Sequence, residues 1–233
     1  MGTNNLFQSK GMRITIRGVK KSYQMGTTKV PALRSVDLDL EAGEPVAVAG
    51  VSGCGKTTLL NLIGGVDVPD TGSIVVGNED IAKFSERRLE NYRLHKVGFV
   101  FQFFNLIPSL TARENLELDM TLAGVPKEER EDRAMALLKL VGTSDHWRKK
   151  PDEMSGGEQQ RVAIAVALVN DPVLILGDEA TGNLDTSNAL AITNLLVSLA
   201  TDHGKTVFLA THDPRVAERV RKIHTMVDGR FDS

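Results

Sequence analysis

One cysteine, Cys54, is all that the 233 residues contain, so no internal disulfide framework can hold the fold, and this usage fits a reducing compartment. Long apolar runs are also missing. The longest uninterrupted stretch, Val162 to Val169, falls far short of the ~20 residues that a membrane-spanning helix needs, so a role at a membrane has to come through a partner. There is no excess of basic charge. The formal net charge of -2 gives no electrostatic reason to expect nucleic acid as a partner. The acidic-rich stretch from Glu128 to Arg133 and the basic one from Arg148 to Lys150 read as solvated surface. Internal repeats and low-complexity tracts are absent. The first residues, MGTNNLFQSKGMR, lack the apolar segment of a secretory signal, and Leu6 stands where a myristoylation pattern needs Ser or Thr. They read as a disordered or appended leader ahead of the first strand.

The chain, 41% hydrophobic, can bury a full core. Alternating residues predict antiparallel strands over Arg13 to Val19 and Val36 to Leu40, followed by a turn at Ala42, Gly43 and Glu44. Val46 to Ala49 is a short apolar strand leading into a glycine loop, with a helix from Thr57 to Ile63. Further strands are expected over Gly72 to Val76 and Val97 to Phe101. From about Phe103 to Glu153 the texture turns helical: Thr111 and Glu114 form a capping box and Pro126 opens a second helix. This predicts a helical subdomain at about 103–153 inside a single domain spanning 1–233. The remainder alternates: strand Val173 to Leu176, helix Thr186 to Leu199, strand Thr206 to Leu209, helix Pro214 to Arg221, and a hairpin around Asp228 and Gly229. Alternation of this kind implies an α/β fold with a mostly parallel sheet, beside an N-terminal antiparallel β subdomain.

Two phosphate-binding signatures stand out. GVSGCGKTT, Gly50 to Thr58, matches the P-loop pattern GxxxxGK[ST] in its required strand, loop, helix context. Backbone N–H groups from Gly50, Ser52, Gly53, Cys54 and Gly55 can turn inward around phosphate, while Lys56 supplies a compact positive charge near the terminal phosphate. Thr57 suits Mg²⁺, and Thr58 completes the loop. The motif predicts a nucleoside triphosphate without choosing between kinase, GTPase and transport ATPase. MSGGEQQR, Met154 to Arg161, places Ser155, Gly156 and Gly157 at a helix start, a second anion site with its N–H groups aimed outward. The two half-sites cannot serve one nucleotide, whereas two copies facing head to tail would complete both. VLILGDE, Val173 to Glu179, ends an apolar strand in two carboxylates: Asp178 suits Mg²⁺ through water and Glu179 suits a general base. Cys54, beside Lys56 at a helix start, is expected to be a reactive thiol whose alkylation blocks ATP hydrolysis.

With Tyr23, Gln102, TGNLD and THD in order around these motifs, the chain from about Met12 to Phe231 resembles the ATP-binding cassette (ABC) ATPases. The stretches ALRSVDLDL, LLNLIGGVDVPDTG, GFVFQFFNLIPSLTARENL and EATGNLD look like the lipoprotein-release, macrolide-export and cell-division subfamily. The resemblance implies ATP and Mg²⁺ as cofactors. It implies Tyr23 stacked on adenine, Gln102 bridging Mg²⁺ and the attacking water, and His212 bonded to the γ-phosphate. Ser155, Gly156 and Gly157 would contact the nucleotide of the other protomer, and Asp185 would cross the dimer interface. His95, His146, His203 and His224 have no such context and read as surface or packing residues. Cys54, Thr57, Glu158, Gly177 and Ala180 replace the usual Ser, Ser, Gln, Ala and Pro.

The implied partners are a second copy of the chain and integral membrane permease subunits docked around Gln102 to Pro108, on the cytoplasmic face of the membrane. The substrate class is not readable, and export or extraction from the membrane is the favoured direction. A soluble repair or translation ATPase would need a long coiled-coil insertion or a tandem cassette, which this sequence lacks. A small-molecule kinase would leave MSGGEQQR, TGNLD and THD without a role. An ATPase that transmits force to cell-wall machinery differs from the favoured reading only in its partner.

Overall fold

Alternating apolar residues build a long hairpin at the start of the fold. In the computed structural model, which describes residues 6–220 and 222–232, β1 (Ile14–Met25) pairs antiparallel with β2 (Thr28–Leu40). Ile14, Ile16 and Val19 of β1 and Val36, Leu38 and Leu40 of β2 point inward together. Both strands run further than their alternation predicts. Beyond the register shift near Gly18 the stretch KKSYQM is polar, yet ladder hydrogen bonds carry it to the turn at Gly26. On the other side of β1 come β4 (Thr71–Val76) and the short β5 (Glu79–Asp80), giving an antiparallel sheet in the order β2-β1-β4-β5.

The second sheet has the order β10-β9-β3-β8-β7-β6. Its centre is β3 (Pro45–Ala49), β8 (Thr206–Thr211), β7 (Leu174–Asp178) and β6 (Val97–Phe101), all parallel, with β9 (Lys222–Val227) parallel on the outer side of β3 and β10 (Arg230–Phe231) turning back. Strands covered on both faces read as continuous apolar runs, and β8 is buried throughout. Val46, Val48, Leu174, Leu176, Phe208 and Ala210 face α1 (Lys56–Ile63) and the antiparallel sheet. Ala47, Ile175, Val207 and Leu209 face the opposite layer. That layer holds α3 (Ala112–Leu122), α4 (Lys127–Leu140), α5 (Gly156–Leu168) and α6 (Thr186–Thr201). The fold is thus α/β with one antiparallel sheet, one mostly parallel sheet and a helical layer, as the sequence implies.

Several elements depart from expectation. α2 (Glu86–Lys96) was not foreseen, because ERRLENYRLHK is nearly all polar and buries only Leu89 and Tyr92. α7 (Pro214–Ala217) is one turn, shorter than the helix expected as far as Arg221, a residue outside those described. The expected leader needs the largest correction. Met1 to Asn5 lie outside the described residues, but Leu6 and Phe7 pack on the helical-layer core. Asp171 accepts the Gln8 N–H at 2.8 Å and the Ser9 N–H at 2.7 Å, and Gly11 N–H reaches Gly204 O at 2.7 Å. A carboxylate and an apolar ledge bind this segment, and neither is visible from its own polar composition.

Candidate functional site

Parallel register brings the ends of four strands to one edge. Ala49 pairs with Thr211, Ala210 with Asp178, and Asp178 with Phe101. The residues that follow these ends, or close them, are the glycine loop, His212, Glu179 and Gln102, so the sheet topology gathers them at its carboxyl edge, where open α/β sheets bind ligands. They line an open cleft of about 910 Å³ with Ser52, Gly53, Gly55, Lys56, Thr57, Thr58 and Asp178.

The path of the loop is set by its own backbone. Gly55 has φ 112°, and a Cβ there would come within 2.7 Å of Ala32 O, so only glycine fits. α1 begins at Lys56 with no acidic residue in its first turn, leaving the N–H groups of its positive end for an anion. Lys56 Nζ donates to Gly50 O at 2.8 Å and Val51 O at 3.1 Å and lies 3.5 Å from Glu179 Oε1. Thr57 Oγ1 donates to Asp178 Oδ1 at 3.1 Å. Burial pushes the Asp178 carboxyl above its ordinary range. The Thr57 hydrogen bond and Lys56 oppose that shift, and Glu179 adds to it.

Glu179 has φ 49° and anchors its N–H on Ala210 O at 3.0 Å. Its Oε2 lies 2.8 Å from His212 Nδ1 and accepts the His212 backbone N–H at 3.3 Å. With Nδ1 facing a carboxylate, the His212 tautomer that carries its proton there leaves Nε2 turned away from Glu179. Gln102 Nε2 donates to Asn183 Oδ1 at 3.1 Å, and Asn183 Nδ2 donates to Gln102 O at 3.0 Å. Asn183 is a site residue that motif reading passed over. TGNLD was in view, but the pairing becomes visible only when β6 and the turn after β7 are side by side.

Among the described residues no three of His, Cys, Asp and Glu gather as an all-protein cation site. Mg²⁺ requires no such cage, since it keeps several waters and takes one or two protein oxygens beside phosphate. The Thr57 hydroxyl and Asp178 carboxylate, with the Gln102 amide across the cleft, fit that demand.

Other expected site residues lie elsewhere. Tyr23 does not line the cleft. It pairs with Val30 across the hairpin, and its hydroxyl donates to Asp67 Oδ2 at 2.9 Å. The Cys54 thiol does not face the cleft either. It is 3% exposed, packs in the core under the loop, and lies where a Cβ on Gly50 would meet its sulfur at 2.6 Å. The expected reactive thiol is therefore corrected to a buried one, because the loop turns this side chain into the core while its own N–H bonds Val51 O at 3.3 Å.

Ser155, Gly156 and Gly157 lie apart from the cleft, at the start of α5. A Cβ on Gly157 would strike Asn188 Oδ1 at 2.5 Å, and one on Gly156 would touch Leu184 and Phe104. The second signature thus packs against the start of α6, where Asp185 caps the helix by accepting the Asn188 N–H at 3.0 Å. The two signatures belong to different faces of one protomer.

Comparison with known proteins places the chain among ABC ATP-binding proteins. A family model described as "ABC transporter" matches residues 33–182. An uncharacterized ABC transporter ATP-binding protein of Thermotoga maritima is 47% identical over 214 residues, 92% of this chain and 91% of that protein. The lipoprotein-releasing system ATP-binding protein LolD of Legionella pneumophila is 40% identical over 216 residues, 93% of this chain and 95% of that protein. Among solved structures, the dimeric ATP-binding cassette MJ0796 in a post-hydrolysis state with ADP and Pi has a TM-score of 0.87 and 41% identity, covering 94% of this chain and 97% of that one.

Proposed function

The chain belongs to the ABC transporter family as an ATP-binding ATPase, and from that premise we propose that two copies close head to tail on two MgATP, reopen on hydrolysis, and pass this motion to separate membrane permease subunits. The observation that carries the reading is the division of labour within one protomer: Lys56, Thr57, Gln102, Asp178, Glu179 and His212 surround one cleft, while Ser155 to Gly157 and Asp185 form a second surface away from it. A second copy can present that surface to the open side of the cleft. Residues 1–233 then act as one nucleotide-binding domain, with 103–153 as its helical subdomain.

In this reading the loop N–H groups and Lys56 neutralise the β- and γ-phosphates, and Glu179 polarises the attacking water. Its contacts to Lys56, His212 and the His212 N–H fix the direction of that carboxylate. Thr57 and Gln102 would hold Mg²⁺ directly and Asp178 through water; the ion would supply charge neutralisation at the phosphates. His212 would add a hydrogen bond to the γ-phosphate through Nε2 when protonated. Tyr23, at the end of the hairpin beside α1, would stack on adenine once the base is seated. The Ser52, Gly53 and Cys54 amides and the Thr58 hydroxyl would bind the remaining phosphate oxygens.

Coupling would run through Gln102 to Pro108. Phe104 and Asn105 have φ 32° and 53°, and this strained corner turns the chain from the cleft into a groove of about 710 Å³ lined by Phe99, Phe104, Leu106 and Leu122. No helix among the described residues is long and apolar enough to cross a membrane, so the permease would have to hold the chain at the cytoplasmic face. The resemblance to lipoprotein-releasing ATPases favours export or extraction from the membrane. Co-expression with candidate permease subunits from the same genome tests the reading. The chain and one such permease are expected to copurify in detergent with raised ATP turnover; a chain that copurifies with no permease, and whose turnover none alters, would contradict it.

A further inference from the structure

Glu158, inside the second signature, has no part in the roles above. It stands at the third position of α5, where its N–H donates to Ser155 Oγ at 3.4 Å and its Oε2 accepts the Ser155 N–H at 2.8 Å. Its other oxygen lies 3.4 Å from His146 Nδ1. The Ser155 hydrogen bond holds this carboxyl below its ordinary range; burial opposes the shift, while the Ser155 hydroxyl and the nearby His146 and Lys149 favour it.

A helix cap needs an acceptor here and does not need a charge. Glutamine has the same reach, and its amide oxygen accepts the same N–H, so either residue completes a capping box. The cap itself does not require the negative charge, which sits at the positive end of α5 beside the amides of Ser155, Gly156 and Gly157. An anion arriving from outside meets one amide already committed, a helix dipole already answered, and a like charge a few ångströms away.

We propose that Glu158 is an internal anion that competes with the partner protomer's γ-phosphate for the start of α5, and so weakens ATP-driven pairing of the two copies. The proposal rests on the head-to-tail dimer reading. Glu158 would act as a positioning residue that sets how readily the second signature accepts phosphate, and ATP bound to a single protomer would not sense it, because Glu158 lies outside the cleft.

The test compares Glu158, Glu158→Gln and Glu158→Asp, each in a Glu179→Gln background, by sedimentation equilibrium with MgATP. Glu158→Gln is expected to lower the dimer dissociation constant roughly 3- to 30-fold, the scale of one charge removed from each of two helix starts, with a smaller gain at high salt. Glu158→Asp keeps the charge and is expected to pair no more tightly than the parent. Binding of a fluorescent ATP analogue to the monomer should be equal in all three. If Glu158→Gln pairs no more tightly than its parent while both dimerise, the proposal falls and the dimer reading stands. If none of them dimerises with nucleotide bound, both fall together.

Discussion

Glu179 occupies a left-handed backbone position, φ 49°, that costs a side-chain-bearing residue roughly 1–3 kcal/mol. The position is held because the Glu179 N–H is anchored on Ala210 and the carboxylate on His212 and Lys56. Replacement by glutamine keeps the shape and removes the proposed base, so turnover is expected to fall roughly 10²–10⁴-fold in a phosphate-release assay, with ATP binding retained. A Glu179→Gln protein that turns over at the wild-type rate would remove this residue from the chemistry. The buried Cys54 leads to a different expectation from the one its sequence position suggests. Folded protein should take up N-ethylmaleimide slowly, with or without MgATP, and quickly only once unfolded, as mass spectrometry of the intact chain would show. Rapid labelling of the folded, nucleotide-free protein would mean that the loop opens far more than its packing indicates. The position of Cys54 in the loop was legible, but its direction was not, because a P-loop pattern specifies which amides face phosphate and leaves the side chains between them undefined.

The elements differ in how much of them could be read in advance. β3, β7 and β8 announce themselves as apolar runs flanked by turns, and the capping box of α3 is written in Thr111 with Glu114, whereas the matching box of α5, Ser155 with Glu158, emerges from the structure. α2 and the N-terminal segment were opaque, since both are polar and gain their order from distant residues. The segment from Leu6 to Gly11 is fixed by Asp171 and by Lys205, which is 0% exposed and bonds Asp171 and, at 2.8 Å, Ser9 O. Burial pushes the Asp171 carboxyl up, yet hydrogen bonds from Lys205, Ser9 and Gln8 together hold it below the ordinary carboxylate range. A folded-state value below the unfolded one, about 3.9, adds stability that is present above that pH and is lost as pH falls through the lowered folded value. Deleting the first ten residues should cost about 2–4 kcal/mol, from two lost N–H bonds to the partly buried Asp171 carboxylate, the lost Lys205 bond to Ser9 O and the uncovered apolar ledge, and should lower the melting temperature by several degrees at pH 7. The loss should shrink as pH falls below 4. Unchanged thermal denaturation at pH 7 would show that the segment contributes nothing.

At the scale of the whole molecule, the cleft and the start of α5, the two faces proposed to bind phosphate, do not share one pocket within a protomer. The cleft at the carboxyl edge of the parallel sheet lacks a cover, and the start of α5, backed by the Asp185 cap of α6, lies on a separate surface with its amides at a helix N-terminus. Sequence order alone suggested the pair of half-sites. The structure adds that they are held by different layers: the first by the sheet edge and α1, the second by the helical layer, so closing one on the other joins the core of one copy to the helices of its partner. The most direct measurement is the solution mass of the Glu179→Gln protein by light scattering, with and without MgATP. The account predicts a monomer, or a weakly associating chain, without nucleotide and a dimer with it, and the dimer should be lost when Ser155→Arg blocks the start of α5. A mass that does not change while nucleotide is demonstrably bound would contradict it.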